Sequence, residues 1–173
     1  MIIFKKGNLF DSECQTLVNT VNIDGVMGKG IALQFKQRYP DMFNEYRRVC
    51  SGKDYIGIGK LKEGGDLWLY PFTDMFKTRN ILCFATKEHW YYKSKLEWIE
   101  RGLQLLTKRY TLTDESPYGD IEHSFYWYEH LRIKSIAWPK LGCNNGGLNW
   151  ENEVKPLMVK YLDDIDIINE IYE

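Results

Sequence analysis

The feature of this sequence that most restricts its fold is the stretch from Val18 to Ala32, which reads as a strand, a glycine-rich loop and a helix. Gly25, Gly28 and Gly30 punctuate the loop, and glycine lets a backbone adopt a positive φ or contact a ligand closely. The following helix would direct its free N–H groups and its positive dipole end towards the loop. The ligand that this loop predicts is therefore an anion.

A second stretch near the end of the chain repeats this pattern. A predicted strand, Ser135–Pro139, precedes the turn Leu141–Leu148, and a helix is expected to begin near Asn149. Two such loops can bind a diphosphate from two sides, although each could also be an ordinary strand-to-helix turn. Neither loop has the spacing of a Walker motif or of the dinucleotide motif G-x-G-x-x-G. The sequence thus disfavours a nucleotide triphosphatase and a nicotinamide dehydrogenase.

The composition limits the class of protein. A chain of 173 residues has the size of one domain, and its net charge of −1 provides no overall field that would attract nucleic acid. The four cysteines show no C-x-x-C spacing, which argues against zinc and is typical of a reducing compartment. The sequence shows neither a signal peptide nor an apolar run long enough to span a membrane. We therefore expect a cytoplasmic protein that needs no metal and no cofactor.

Predicted strands and helices alternate along the chain. The strands are Ile2–Phe4, Thr16–Val21, Gly52–Lys60, Leu67–Pro71, Arg79–Phe84, Lys134–Trp138 and Ile165–Tyr172. The helices are Ile31–Tyr39, Asp41–Cys50, one that a Ser94-x-x-Glu97 capping box opens and that reaches Tyr110, and Asn149–Tyr161. This alternation predicts an α/β sheet covered on both faces, with ligands at the carboxyl ends of the strands. The aromatic run Phe125–Tyr128 could cover the cleft or an edge of the core.

Four segments taken together resemble the macrodomain family of ADP-ribose-binding proteins. They are Asn19–Asn22, Gly25–Ala32, Ala85–Trp90 and Leu141–Leu148. Within the family they are most similar to the terminal ADP-ribose glycohydrolases and to the DarG antitoxins. The resemblance implies a single macrodomain over residues 1–173 with an atypical insertion at about 111–131, folded as a three-layer α/β/α structure with a central mixed sheet. It also implies an enzyme that removes ADP-ribose from thymidine in single-stranded DNA, with a DarT-like toxin as a partner and no membrane association.

The same resemblance assigns roles to individual residues. Lys87 is expected to act at the anomeric carbon of the distal ribose, and Asn22 is expected to hold that ribose. A lysine can attack carbon only as a neutral amine, which requires burial or a nearby positive charge such as Lys29. The residues expected to bind ADP-ribose are Asn8, Leu9, Thr20, Gly28, Lys29, Gly30, Ile31, Thr86, Gly142, Cys143, Asn144, Asn145, Gly146 and Gly147.

Some positions depart from the family pattern or allow a second interpretation. Asn8 stands where the family has an adenine-binding aspartate, so that contact is expected to be weaker without the charge. Asp24 places a carboxylate beside the expected distal ribose. His89 could transfer a proton or simply pack the Lys87 loop. Cys143 is expected to contribute its backbone rather than a nucleophilic thiolate, because no base is identifiable beside it.

Contacts to single-stranded DNA would come from exposed cations and aromatic rings. The candidates are Lys29, Arg38, Arg47, Arg48, Lys93 and Lys95 for phosphates, and Trp90, Tyr91 and Tyr92 for stacking on bases.

Two other functions stay open from the sequence. One is hydrolysis of ADP-ribose esters of protein glutamate or aspartate, or of small adducts. The other is a non-catalytic ADP-ribose reader in which Lys87 only binds.

Overall fold

A seven-stranded sheet forms the centre of the computed structural model, which describes residues 1–74, 77–107, 109–110, 125–126 and 132–173. Its strands are β1 (Ile2–Lys5), β2 (Thr16–Val21), β3 (Ile58–Gly59), β4 (Leu67–Asp74), β5 (Lys77–Ala85), β8 (Ser135–Pro139) and β9 (Ile168–Tyr172). A separate antiparallel pair joins β6 (Arg109–Tyr110) to β7 (Phe125–Tyr126).

The order of the strands places several carboxyl ends at one edge of the sheet. The order is β1-β9-β8-β2-β5-β4-β3, in which the first five strands are parallel and β4 and β3 pair in antiparallel fashion. The predicted mixed sheet is thereby confirmed. Because β2, β5 and β8 are parallel neighbours, the loops that follow them lie side by side, and such an edge is where α/β sheets bind ligands.

Helices cover both faces of this sheet. They are α1 (Gly30–Arg38), α2 (Pro40–Ser51), α3 (Leu96–Thr107) and α4 (Lys155–Leu162), the last preceded by a π-helical turn, Trp150–Val154. Alternate residues of each central strand face opposite layers, as the pleat requires. Leu17 packs with Phe35 and Met42 on the α1–α2 side, whereas Val18 packs with Leu103 and Met158 on the α3–α4 side. The predicted three-layer α/β/α architecture is confirmed.

Two predicted elements differ from the structure for identifiable reasons. The strand predicted over 52–60 is reduced to Ile58–Gly59, because Gly57 and Gly59 adopt φ values of 114° and 107° and interrupt the ladder. The capping box at Ser94 is wrong, because α3 begins only at Leu96. The N–H of Ser94 instead donates to the carbonyl of Gly146 at 2.9 Å, which ties this segment to the second glycine loop.

The end of one helix and the start of another also differ from expectation. Tyr110 lies in β6 rather than on the face of α3, which ends at Thr107. Pro40 ends α1 as predicted, and it also begins α2, where a missing N–H costs nothing.

Most of the predicted insertion at 111–131, including the side chains of the run at 125–128, lies outside the described residues, so its expected role stays a prediction. Among the helices that the structure describes, none combines the length and the apolar character needed to cross a bilayer. The cytoplasmic location stays a prediction from the sequence.

Candidate functional site

A cleft of about 1130 Å³ opens at the carboxyl ends of β2, β5 and β8. Every residue predicted to bind or transform ADP-ribose, apart from Gly147, lines this cleft. They are Asn8, Leu9, Thr20, Asn22, Gly28, Lys29, Gly30, Ile31, Thr86, Lys87, Gly142, Cys143, Asn144, Asn145 and Gly146. Residues from four separate parts of the sequence thus come together, and their contacts with a ligand stay a prediction.

The charge of the cleft differs from that of the whole chain. Acidic and basic residues are almost equal in number over the sequence, 24 against 23. The charged residues that line the cleft are Lys29, Lys87, Lys93, Lys140 and a single acid, Glu173. Glu173 in turn accepts a hydrogen bond from Lys155 at 2.8 Å, which offsets its charge. The cleft therefore concentrates positive charge, as a site for an anionic ligand requires.

The first glycine loop leads directly into the N-terminus of α1. That helix begins at Gly30, and its first N–H groups have no helical carbonyl to accept them. Gly30 has a φ of 59°, and a Cβ built there would lie 2.7 Å from the side-chain nitrogen of Asn145. The first loop therefore lies close to the side chain of Asn145 in the second loop, and the positive φ is the reason that glycine is favoured at position 30.

The second glycine loop forms a short 3₁₀ turn over Asn144–Gly146. The N–H of Gly146 donates to the carbonyl of Cys143 at 2.6 Å, and the N–H of Gly147 donates to the carbonyl of Asn144 at 3.2 Å. These two donors are already used within the turn. The first N–H groups of the turn, at Asn144 and Asn145, are better placed to serve an anion.

Lys87 connects the two loops. It follows β5, and its amine donates a hydrogen bond to the carbonyl of Asn145 at 2.7 Å. Its own N–H donates to the carbonyl of Val21 at 3.3 Å, so the residue is fixed between β2 and the second loop. Partial burial lowers the pKa of the Lys87 amine below its usual value, which favours the neutral form that nucleophilic attack needs.

Asn22 is engaged mainly with its own loop. Its side-chain nitrogen donates to the carbonyl of Val26 at 2.7 Å, and its side-chain oxygen accepts from the N–H of Asp24 at 3.0 Å. The hydroxyl of Tyr46 lies 2.9 Å from that oxygen, and burial raises the pKa of Tyr46, so this group stays a neutral donor. Asn22 lines the cleft, and its amide nitrogen carries a second N–H in addition to the one that Val26 accepts. Asn22 is thus first a residue that orders the loop.

Asp24 binds the Lys87 loop rather than facing the cleft. One carboxylate oxygen lies 2.8 Å from the Nδ1 atom of His89, and the other accepts the N–H of Trp90 at 3.0 Å. Nearby, the N–H of Ile23 donates to the carbonyl of Glu88 at 3.0 Å. Neither Asp24 nor His89 lines the cleft. The arrangement supports a positioning role for both residues.

Cys143 is buried, and its thiol lies 3.5 Å from the carbonyl of Leu141. Burial raises the pKa of this thiol to about 11. A buried neutral thiol is a poor nucleophile. The structure thus favours the interpretation that Cys143 contributes its backbone to the second loop.

We expect iodoacetamide to alkylate Cys143 in the folded protein at least about 100-fold more slowly than in the unfolded chain, because its thiolate fraction at neutral pH is lower by that factor. The rates can be followed by mass spectrometry of the peptide that contains Cys143. The unfolded chain serves as the control for reagent and peptide. Equal rates in the two states would contradict a buried, neutral thiol.

The remaining candidates divide into those in the cleft and those outside it. Asn8 caps the turn that follows it by accepting the N–H of Phe10 at 3.1 Å, which leaves its amide nitrogen and a second lone pair for a ligand. Among the cations and rings considered for DNA, those that line the cleft are Lys29, Lys93, Trp90, Tyr91 and Tyr92. Those outside it are Arg38, Arg47, Arg48 and Lys95.

The cleft also contains residues that the sequence interpretation did not include. Tyr172 and Glu173 line it because β9 is parallel to β8 and ends beside it, with Pro139 paired to Tyr172. Phe10 lines it as well, and the guanidinium of Arg38 lies 4.4 Å from the centre of its ring. A prediction that the last strand is parallel would have placed its end at this edge.

In the part of the chain that the structure describes, no cluster of three His, Cys, Asp or Glu residues could hold a metal ion.

Comparison with known protein families gives one match over most of the chain. The family model described as Macro domain matches residues 18–156. A Thermus aquaticus protein named DNA ADP-ribosyl glycohydrolase is 36% identical over 166 residues, which cover 96% of this chain and 39% of that protein. The chain spans about two fifths of the length of the curated relatives it matches.

Solved structures agree with this match. The macrodomain of Thermus aquaticus DarG superposes with a TM-score of 0.78 at 35% identity, covering 100% of this chain and 98% of that one. Thermosipho africanus DarTG, solved in complex with ADP-ribose, superposes with a TM-score of 0.78 at 32% identity. That match covers 99% of this chain and 41% of the other.

Proposed function

This chain belongs to the macrodomain family, and on that premise we propose that it is an ADP-ribosyl glycohydrolase acting on ADP-ribosylated thymidine in single-stranded DNA. Two findings support this proposal. The Thermus aquaticus protein carries the name of a DNA ADP-ribosyl glycohydrolase, and the DarG macrodomain alone matches along almost its whole length. A DarT-like toxin, as in the DarTG relative, is the proposed source of the modified DNA.

The position of Lys87 is the single observation that carries the proposal. Its amine donates a hydrogen bond to the second glycine loop, and its backbone N–H binds Val21 at the end of β2, where the first loop begins. A diphosphate bound by the N–H groups of Gly30 and Asn145 would leave its distal ribose beside this amine. Burial has already shifted the pKa of that amine towards the neutral form.

In the proposed reaction, the neutral amine of Lys87 attacks the anomeric carbon of the distal ribose. The bond from that carbon to the thymine nitrogen breaks, and the base leaves with the bonding pair and takes up a proton. Water then hydrolyses the bond between lysine and sugar, which releases ADP-ribose and restores the amine. A protonated Lys87 would act differently, because it would stabilise the charge on the leaving base without a covalent step.

One observation favours a second function. The hydrogen bond from Lys87 to the carbonyl of Asn145 could be purely structural, in which case the protein would be an ADP-ribose reader. In that case ADP-ribose would bind but no substrate would be turned over. The same cleft would also accept the ADP-ribose of a protein ester, since the diphosphate contacts do not depend on the group attached to the ribose.

The proposal is tested by incubating the protein separately with a thymidine-ADP-ribosylated oligonucleotide and with a glutamate-ADP-ribosylated protein. We expect release of free ADP-ribose from the oligonucleotide, detected by liquid chromatography and mass spectrometry, and much slower release from the protein. Release from the protein alone would move the assignment to ester hydrolysis. Binding of ADP-ribose without release from either substrate would favour the reader.

A further inference from the structure

Three consecutive aromatic side chains are exposed at the rim of the cleft. Trp90, Tyr91 and Tyr92 are 57%, 59% and 51% exposed, and all three line the cleft together with Lys87. Burial of aromatic surface is favourable, so a cluster of rings that stays exposed indicates a surface at which a ligand binds. The catalytic role proposed for Lys87 does not use these rings.

The rings are held in fixed positions before any ligand binds. Tyr91 stacks on His89 with ring centres 5.5 Å apart and an interplanar angle of 12°, and Tyr92 meets the same imidazole edge-on at 5.2 Å. Asp24 fixes His89 and the N–H of Trp90 from the opposite loop. Because the surface is already ordered, a ligand that stacks on it pays little entropy for ordering the protein.

Charge near these rings selects the kind of ligand. Lys93 follows Tyr92 directly, and Lys29 lines the same cleft. Two acids lie close to the rings but do not line the cleft: Asp24, whose carboxylate contacts His89 and the N–H of Trp90, and Glu88, two residues before Trp90. Exposed aromatic faces next to lysines are the combination with which proteins bind single-stranded nucleic acid, since bases stack and phosphates pair with the cations.

We propose that Trp90, Tyr91 and Tyr92 form a stacking platform for the bases that neighbour the ADP-ribosylated base in single-stranded DNA. This inference rests on the proposed function and extends it from the modified nucleotide to its neighbours. The platform begins three residues after Lys87 on the same loop, so a strand whose modified base lies at Lys87 has its adjacent bases within reach of the rings.

The test compares two ADP-ribosylated oligonucleotides that differ only in the residues flanking the modified thymidine, which are bases in one and abasic sites in the other. The wild-type protein is expected to show kcat/KM higher by about tenfold or more for the base-flanked substrate. The double variant Trp90→Ala, Tyr91→Ala is expected to lose most of this preference. The matched control Phe4→Ala, which removes an exposed ring outside the cleft, is expected to keep it.

Binding of unmodified single-stranded DNA, followed by fluorescence anisotropy, separates this inference from the proposed function. If no oligonucleotide is hydrolysed and the double variant still binds DNA about tenfold more weakly than wild type, the platform stands and the glycohydrolase assignment fails. If hydrolysis proceeds equally well with bases and abasic flanks, the platform is refuted and the assignment stands. The platform would also be refuted if the double variant released ADP-ribose more slowly from ADP-ribosylated protein but not from the oligonucleotides, because the rings would then serve a protein substrate.

Discussion

Replacement of Lys87 by alanine is expected to lower the rate of ADP-ribose release by on the order of 10³-fold. In the proposed reaction this amine acts at the anomeric carbon; it donates a hydrogen bond to the carbonyl of Asn145 in the second loop, and partial burial lowers its pKa. Affinity for free ADP-ribose is expected to change by less than about tenfold, because the contacts proposed for the diphosphate are backbone N–H groups. Single-turnover kinetics and calorimetry measure the two quantities separately.

The pH dependence of the reaction identifies the active form of Lys87. If the neutral amine attacks, the rate rises with pH as the fraction of neutral amine rises, and it levels off above the pKa of Lys87. Because burial lowers that pKa, the plateau is reached at a lower pH than for a lysine with the ordinary value of 10.5. The Lys87→Ala variant should lack this rising limb. A rate that falls over the same range would show that the ammonium form is required.

A second lysine variant controls for the general effect of removing a positive charge. Lys53 is exposed and does not line the cleft, so Lys53→Ala should leave both rate and affinity unchanged. If Lys87→Ala keeps more than half of the wild-type rate, Lys87 only binds. If it loses rate and affinity in equal measure, Lys87 contributes to binding of the substrate rather than to the chemical step.

The elements that flank the cleft could be predicted because each has a strong local pattern. The apolar, β-branched run Thr16–Val21 predicted a strand, and β2 has those bounds. Met42, Tyr46 and Val49 recur at spacings of three and four, and all three are buried on α2. The glycine loops were identified by their position between such elements, so their place at one edge of the sheet followed from parallel strand order.

Contacts between distant parts of the chain could not be predicted in the same way. Ser94 has the local signature of an N-cap, yet its backbone binds Gly146, which no local pattern contains. Asp24 was expected beside the distal ribose, and the structure shows it on His89 and Trp90. In each case two loops that are remote in sequence form the hydrogen bonds, so the partner becomes known only when the sheet order is known.

Stability should depend strongly on Trp138, a large and fully buried side chain in β8. Its replacement by alanine is expected to lower the free energy of unfolding by about 3–5 kcal/mol, because a large cavity forms in the α3–α4 layer. The indole N–H also donates to the side-chain oxygen of Asn169 at 2.9 Å. Asn169 is completely buried, so its oxygen would lose its donor, which costs a further amount of about 1–3 kcal/mol unless water enters.

Urea titrations of three tryptophan variants separate these terms. Trp138→Phe keeps most of the ring volume but removes the N–H, so its loss of stability should lie between those of wild type and Trp138→Ala. Trp90→Ala is the matched control, because its ring is exposed and its removal should change stability by no more than about 0.5 kcal/mol. The second glycine loop follows β8, and Trp138→Phe is expected to leave that loop in place. Saturating ADP-ribose should therefore stabilise wild type and the folded Trp138→Phe variant by the same increment, as expected when a ligand binds only the native state. A Trp138→Ala variant as stable as Trp90→Ala would contradict the packing of β8 described above.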